Sequence, residues 1–366
     1  MTLRTTPKHL LVAISSHGFG HFAQTASVLN ALRQLMPDLR LTLLSTLPRT
    51  LIETRLEGEF ALAPVALDFG MLMQSALDVR IDETLAAYRE FHANWDERVE
   101  TEAARFRSYS PDLVLANVPY LALAAAKRAG IESAAFCSLN WADITEHYFH
   151  SHPDFAPIHA QIQRAYQDAS VFLKPAPSMP MEPLPRGRAI GPVARIGVNR
   201  GVELRQHLRW SASERVVVVV PGGIPTPIPI ETWPRVQGLR WVTTWDSAVS
   251  REDIVAHTAL KLDFTDLLAS CDAVVTKPGY GTIAESVCNG IPVIYARRGD
   301  WPEEPFLVDW LLKNGTAVEI DRAQFLNGQF TDELNTLLAL PRRPAVVATG
   351  TYEAASILLE MMQYRP

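Results

Sequence analysis

Apolar residues along this chain fall into short unbroken runs, separated by longer stretches in which they recur every three or four positions. Runs of strand length lie near Leu10–Ser15, Leu41–Ser45, Leu113–Ala116 and Ala134–Cys137, and again near Val216–Val220, Ala273–Thr276, Pro292–Tyr295 and Ala317–Ile320. Helical spacing marks His21–Met36, Glu83–Phe106 and Leu121–Ala129, then Thr282–Asn289 and Pro305–Asn314. A closing segment, Glu353–Met362, carries Ala354, Ile357, Leu358 and Met361 at the same spacing and reads as a packing helix. Continuously apolar strands that alternate with helices predict parallel sheets covered on both faces. The expected fold class is therefore α/β, with two tandem Rossmann-like domains whose parallel sheets face a central cleft. In open sheets of this kind ligands bind beyond the carboxyl ends of the strands.

The division into two follows from length and proline placement. At about 150 residues per domain, 366 residues suit two domains. Six of the 26 prolines fall between Pro175 and Pro192, where neither a central strand nor a helix interior would tolerate them. The predicted organisation is a first domain over 1–174, a proline-rich linker over 175–192, a second domain over 193–345 and a closing helix within 346–366. A second proline group, Pro221 to Pro234, follows a β-branched run and reads as a functional loop leaving a buried strand.

Composition narrows the class. The chain is 48% hydrophobic and 20% charged, which fits a globular protein with a sizeable core. Its net charge of −6, with isolated basic pairs such as Arg297-Arg298 and Arg342-Arg343, argues against a nucleic-acid partner held by a broad basic face. Cys137, Cys271 and Cys288 are too far apart for a zinc or redox motif, and a reducing cytoplasm is expected. Arg4 and Lys8 precede an apolar run, Leu10 to Ile14, that is shorter than the roughly 7–15 residues of a signal-peptide core, so no export is expected. Stretches such as Leu121 to Ala126 fall below the roughly 18 residues of a spanning helix, which leaves only peripheral membrane contact open.

Two strand-to-helix turns carry the candidate chemistry. The first, Ser15 to His21, formally matches G-x-G-x-x-A through Gly18, Gly20 and Ala23, but no acidic residue follows the second strand to hold a dinucleotide ribose. Its glycines would instead bring backbone close to a ligand while His17 and His21 project beside it, able to exchange protons near neutral pH. Helix capping by both histidines is the alternative. The second turn, Lys277-Pro278-Gly279-Tyr280-Gly281-Thr282, opens a helix whose free backbone N–H groups and dipole suit a diphosphate. Glu285, one turn on, could accept both hydroxyls of a ribose or merely complement the dipole. A third cluster, Glu146, His147, His150 and His152 with His159 beyond, reads as an acceptor-side loop near Pro153, with metal binding the lesser alternative. No metal is expected.

These residues identify a resemblance. Gly18-Phe19-Gly20-His21 and Pro278 to Glu285 are similar to the motifs of nucleotide-sugar glycosyltransferases with the glycosyltransferase-B fold. Over nearly the whole chain the sequence resembles more closely the glycosyltransferase-like N-terminal region of plant L-arabinokinases and their bacterial stand-alone relatives. That likeness runs through His17 to His21, Leu67-Asp68-Phe69-Gly70, Asn140-Trp141-Ala142-Asp143 and Glu303 to Leu307. Sugar kinase activity is not carried over with it.

The resemblance implies an acceptor-side first domain and a second domain that binds the nucleoside diphosphate sugar, UDP being the favoured nucleotide, as substrate rather than cofactor. It implies that Lys277, Gly279, Tyr280, Gly281 and Thr282 surround the diphosphate and that Glu285 holds the ribose. Gly222, Gly223 and Gly20 would approach the donor, and the base would meet backbone at Asp263-Phe264. Asp300, Glu303 and Glu304 would contact sugar hydroxyls, an acceptor's task that suits carboxylates, although Glu303 and Glu304 also suit a solvated helix start. His21 would be the general base of an inverting single displacement. Its usual aspartate partner is replaced by Asn117, so Asp143 is a candidate source of the missing charge. The acceptor would be a small molecule, a lipid-linked group or a glycan. A non-catalytic nucleotide-sugar-binding module and a nucleotide-sugar epimerase are the competing expectations.

Overall fold

In the computed structural model the described residues are 7–15, 17–182, 184–224, 226, 228–246 and 251–363. Arg4 and Ser16, and Pro183, Pro225 and Pro227 of the two proline groups, lie outside them.

The described strands form two all-parallel sheets. The first contains β1 (His9–Ile14), β2 (Arg40–Leu44), β3 (Ala61–Ala63), β4 (Leu113–Asn117), β5 (Ser133–Phe136), β6 (Val171–Pro175) and β7 (Gly187–Ile190), in the order β3-β2-β1-β4-β5-β6-β7. The second contains β8 (Arg215–Val220), β9 (Leu239–Thr243), β10 (Ile254–Ala256), β11 (Ala273–Thr276), β12 (Val293–Ala296) and β13 (Ala317–Ile320), in the order β10-β9-β8-β11-β12-β13. In each sheet the winding reverses beside the first strand, between β1 and β4 and between β8 and β11. Crossover connections diverge at such a point and leave a crevice at the strand ends. The register puts Ile14 opposite Asn117 in one sheet and Val220 opposite Thr276 in the other, so the turns that follow these pairs emerge side by side.

The central strands are buried along their length because helices cover both faces. Leu10–Ile14, Leu113–Asn117, Val216–Val219 and Ala273–Val275 are all within 1% of full burial.

Two compact units divide the chain, and neither is continuous. The first runs to Leu72, resumes over Val79–Val193 and resumes again from Thr349; the second takes Met73–Asp78 and Ala194–Ala348. In the second unit Leu77 joins the apolar core under β8, Ala76 donates its N–H to Thr226 Oγ1 at 2.9 Å, and Asp78 pairs with Arg322. In the first, the helix Thr349–Gln363 buries Ala354, Leu358 and Met362 in the same core as Leu29 and Leu32 of the helix Phe19–Leu35.

The structure differs from the sequence expectations in three places. The proline-rich stretch 175–192 is no free linker, since it holds β7 and the units divide at Val193. β7 itself holds no proline: Pro175 closes β6, and Pro185 and Pro192 flank β7 on either side. The single helix expected over Glu83–Phe106 is two, Ile81–His92 and Trp95–Tyr109, broken at Ala93-Asn94. The histidine cluster begins on the last turn of a helix, Trp141–Phe149, and not in a loop.

Candidate active site

At the β1/β4 reversal the first turn enters the helix Phe19–Leu35 with Gly18 as its N-cap. His21 lies in the first turn of that helix, and Asn117 ends β4. Neighbouring strands therefore bring them together: His21 Nδ1 lies 2.9 Å from Asn117 Oδ1. Asn117 is fully buried, and its Nδ2 donates to Gln24 Oε1 at 3.1 Å, while Gln24 Nε2 donates to Ser138 Oγ at 3.2 Å. With the amides in this orientation the His21 proton sits on Nδ1 and the lone pair on Nε2, the form in which imidazole can accept a proton. Cys137 Sγ lies 3.6 Å from the same Nδ1.

His17 is held in the opposite tautomer. The Met71 backbone N–H donates to its Nδ1 at 3.2 Å, and because a peptide N–H can only donate, the His17 proton is on Nε2. The two imidazoles, 6.3 Å apart between ring centres, present an acceptor and a donor respectively.

An aromatic platform supports both. Trp141 sets its ring 5.0 Å from that of His17 and 5.9 Å from that of His21. Its indole N–H donates to Asp68 Oδ2 at 2.7 Å, so the Leu67–Gly70 and Asn140–Asp143 motifs meet through this bond. Gly70, at φ +65°, closes the packing: a Cβ there would fall 2.7 Å from His17 Cγ and 2.7 Å from Trp141 Cζ2. Asn140 caps the helix Trp141–Phe149, accepting the Asp143 N–H at 2.8 Å. Burial raises the Asp143 carboxyl above its ordinary range, partly offset by Asn140, His159 and Lys174. The electrostatic neighbours of Asp143 are thus Asn140, His159, Glu146 and Lys174.

In the second unit, Pro221-Gly222-Gly223 follows β8 and Lys277-Pro278-Gly279 follows β11. Gly279 is the N-cap of the helix Tyr280–Cys288, in extended conformation and without a side-chain capping bond, and no acidic residue occupies the first turn. Gly281 and Thr282 lie in that first turn, and a Cβ at Gly281 would meet nothing within 4 Å. Glu285, further along the helix, is 3% exposed. Lys277 is drawn down to about 7, chiefly by burial and next by Arg298, against the opposing pull of Glu303 and Glu304.

Residues 298–304 form a turn held by its own groups. The Arg298 N–H donates to Glu304 Oε2 at 2.6 Å, the Trp301 indole N–H donates to Glu303 Oε2 at 3.3 Å, and the Arg298 guanidinium lies 4.0 Å over the Trp301 ring. Both carboxylates are buried, so they build this turn as well as lining it, whereas Asp300 is exposed. Phe264 begins the helix Phe264–Ser270 that leads into β11, with Asp263 as its N-cap. Among the described residues no group of three or more His, Cys, Asp or Glu is placed to hold a metal ion. Glu146 Oε2 and His159 Nδ1 are 3.5 Å apart, and His150 Nδ1 lies 3.2 Å from the carbonyl of Glu146.

Asn117, His17 and His21 were visible in the sequence as strand-end and turn residues. Gln24 and Ser138 were not, since each is one polar residue in a buried stretch and only the three-dimensional relay gives it a role. Asp68 and Trp141 lie within recognisable motifs, but nothing in either motif says that the two touch.

Comparison with known proteins follows the same lines. The chain is 26% identical over 361 residues to L-arabinokinase of Arabidopsis thaliana, a match that covers 96% of this chain and 34% of that protein. The chain thus spans about a third of that relative's length. No protein-family model matches. Among solved structures, the glycotransferase of kitacinnamycin superposes with a TM-score of 0.63 at 16% identity, covering 98% of this chain and 100% of that one. UGT89C1 of Arabidopsis thaliana, solved in complex with UDP, gives 0.60 at 15% identity, with 98% and 100% covered. A Listeria monocytogenes protein named for UDP-N-acetylglucosamine 2-epimerase gives 0.56 at 13% identity, with 98% and 96% covered. The two all-parallel sheets are those of the glycosyltransferase-B fold.

Proposed function

We propose that this chain is a metal-independent, inverting glycosyltransferase that moves a sugar from a nucleoside diphosphate, UDP, to a hydroxyl-bearing acceptor. The observation that carries the reading is the 2.9 Å contact of His21 Nδ1 with Asn117 Oδ1 at the strand reversal, which leaves the Nε2 lone pair for an incoming proton. In the proposed step the acceptor hydroxyl gives its proton to His21 Nε2 as its oxygen forms the bond to the anomeric carbon. The bond from that carbon to the diphosphate oxygen breaks, and the diphosphate leaves with the electron pair. Asn117 orients the imidazole but brings no charge to offset the imidazolium, so the relay through Gln24 and Ser138 supplies positioning and the base works with modest assistance. His17, as a neutral N–H donor, would hold an acceptor oxygen and not remove a proton.

The donor side rests on the uncapped helix Tyr280–Cys288. Its orphan N–H groups at Gly281 and Thr282 would receive the diphosphate, with Lys277, Gly222 and Gly223 beside them and Glu285 on the ribose. Asp300 and the turn it belongs to would meet the sugar. A nucleotide-sugar-binding module without turnover is the second reading, favoured by the uncharged Asn117, and the Listeria neighbour lends support to epimerisation.

One set of assays separates the three. A thermal-shift panel of nucleoside diphosphates and their sugars, with EDTA present, is expected to find one that stabilises wild type, by about 2.7 kcal/mol at 100 times Kd. Glu285→Ala is expected to lose that shift, and His21→Ala to keep it while losing transfer. Binding with no product from any acceptor would favour the module, and sugar conversion without acceptor the epimerase. No shift with any compound would sink all three.

A further inference from the structure

Three residues of one short loop, Asp68, Gly70 and Met71, bear on the two imidazoles of the first unit through different atoms. Asp68 Oδ2 accepts the Trp141 indole N–H at 2.7 Å, the length of a bond strengthened by an ionised acceptor. Gly70 leaves the space in which the His17 and Trp141 rings approach, since a Cβ there would fall 2.7 Å from an atom of each. Met71 places its N–H on His17 Nδ1 at 3.2 Å.

The two imidazoles therefore differ in how they can take a charge. A second proton on His17 would have to enter at Nδ1, against the Met71 N–H, so charging His17 costs that hydrogen bond. At His21 the new proton enters at Nε2, while Nδ1 keeps its contact with Asn117 Oδ1. The charge then stands against the indole: the His21 and Trp141 ring centres are 5.9 Å apart, with planes inclined by 59°. That lies within the roughly 6 Å over which a cation is drawn to an aromatic ring. Trp141 is fully buried and Asp68 is 4% exposed, so little water screens the pair. An anion on the indole N–H polarises the ring and makes its face more negative. The other groups facing His21 are Cys137 and His17. Beside Asp68 stand the phenols of Tyr88, Tyr120 and Tyr166, which burial foremost, with Asp68 among the further causes, keeps protonated.

Resting on the reading of His21 as the base, we propose that Asp68 is a positioning residue of this site: through the Trp141 indole it stabilises the imidazolium at His21 and makes up for the carboxylate that Asn117 does not provide. The proton of the acceptor hydroxyl is thereby directed to His21, and His17 remains a neutral donor. Asp68 and Trp141 are both buried, so they act through His21 and not on a substrate.

The test is an NMR titration of the whole chain, labelled in its histidine rings, without donor or acceptor. His21 is assigned by the signal lost in His21→Ala, and its pKa is compared in wild type, Asp68→Asn, Trp141→Phe and the double variant. Asparagine keeps an acceptor for the indole N–H but removes the charge, so Asp68→Asn is expected to lower the His21 pKa and to leave His17 with the nitrogen shifts of an Nε2–H tautomer. Trp141→Phe is expected to lower it too, and the double variant no further, because the two side chains act as one unit. In transfer assays Asp68→Asn is expected to lose about tenfold in kcat, with the acceptor KM unchanged and the acid limb moved to lower pH. An unchanged His21 pKa in Asp68→Asn would overturn the proposal. Strictly additive shifts would overturn it as well, since the charge would then act directly across space. Should Trp141→Phe not fold, Asp68→Asn decides alone. Titrations as expected with no product from any acceptor would sink the transferase reading and leave the effect of the pair on His21 standing.

Discussion

Replacing Asn117 by aspartate would place a carboxylate against His21 Nδ1, where the amide oxygen now lies at 2.9 Å. A carboxylate stabilises the imidazolium, so Asn117→Asp is expected to raise the His21 pKa. Catalysis by the lone pair needs neutral His21, so the acid limb of the kcat/KM profile moves to higher pH, and a profile identical to wild type would remove Asn117 from the base's environment. Gly70 makes the complementary point about packing. At φ +65°, with His17 and Trp141 each 2.7 Å from the missing Cβ, Gly70→Ala is expected to cost about 2 kcal/mol in chemical denaturation and to displace both rings. Gly279→Ala differs in kind, because its backbone is extended and its Cβ would crowd only the end of the Lys277 side chain, with the Lys277 carbonyl at an ordinary 4.0 Å. It is expected to cost less than about 1 kcal/mol yet to weaken UDP binding measurably.

Central strands were the most legible elements, because a strand buried on both faces must be apolar throughout, and β1, β4, β8 and β11 are. The edges were not: β3 and β10 are three residues long, and β7, with most of its residues exposed, lies within a proline group. Helices as short as Gly201–Leu208 and Thr331–Ala339, of 8 and 9 residues, span too few turns for their spacing to stand out from loop. The helix Gly201–Leu208 is nonetheless firmly tied to the second sheet. Asp272, just before β11, accepts Arg205 at 2.8 Å, Arg215 at 3.2 Å and the Val216 N–H at 2.8 Å. Asp272→Asn leaves the mostly buried Arg205 and the half-exposed Arg215 and Arg342 facing a neutral amide, and about 1–2 kcal/mol is the expected loss. Urea denaturation checks it, and a loss below about 0.5 kcal/mol would mean the cluster is no more than surface decoration.

At the scale of the whole molecule, a boundary drawn along the sequence could not anticipate units assembled from separated segments. Met73–Asp78 belongs with the second unit through Leu77 and the Asp78–Arg322 pair, a placement no local pattern announces. The helix Thr349–Gln363 was readable as a packing helix, but its spacing could not say on what it packs. Removing residues from Thr349 onward is expected to strip hydrogen-exchange protection from Phe19–Leu35 and to leave β8 and β11 protected; uniform loss across both sheets would show that the units do not fold separately.

The return of that helix also bears on manufacture. Synthesis runs from the N-terminus, so β1 to β7 leave the ribosome well before β8 to β13, yet the core around Leu29 and Leu32 lacks Ala354, Leu358 and Met362 until residues 349–363 have emerged. The sheet made first is therefore the one finished later, and through the intervening translation it is a nascent surface for chaperones to shield.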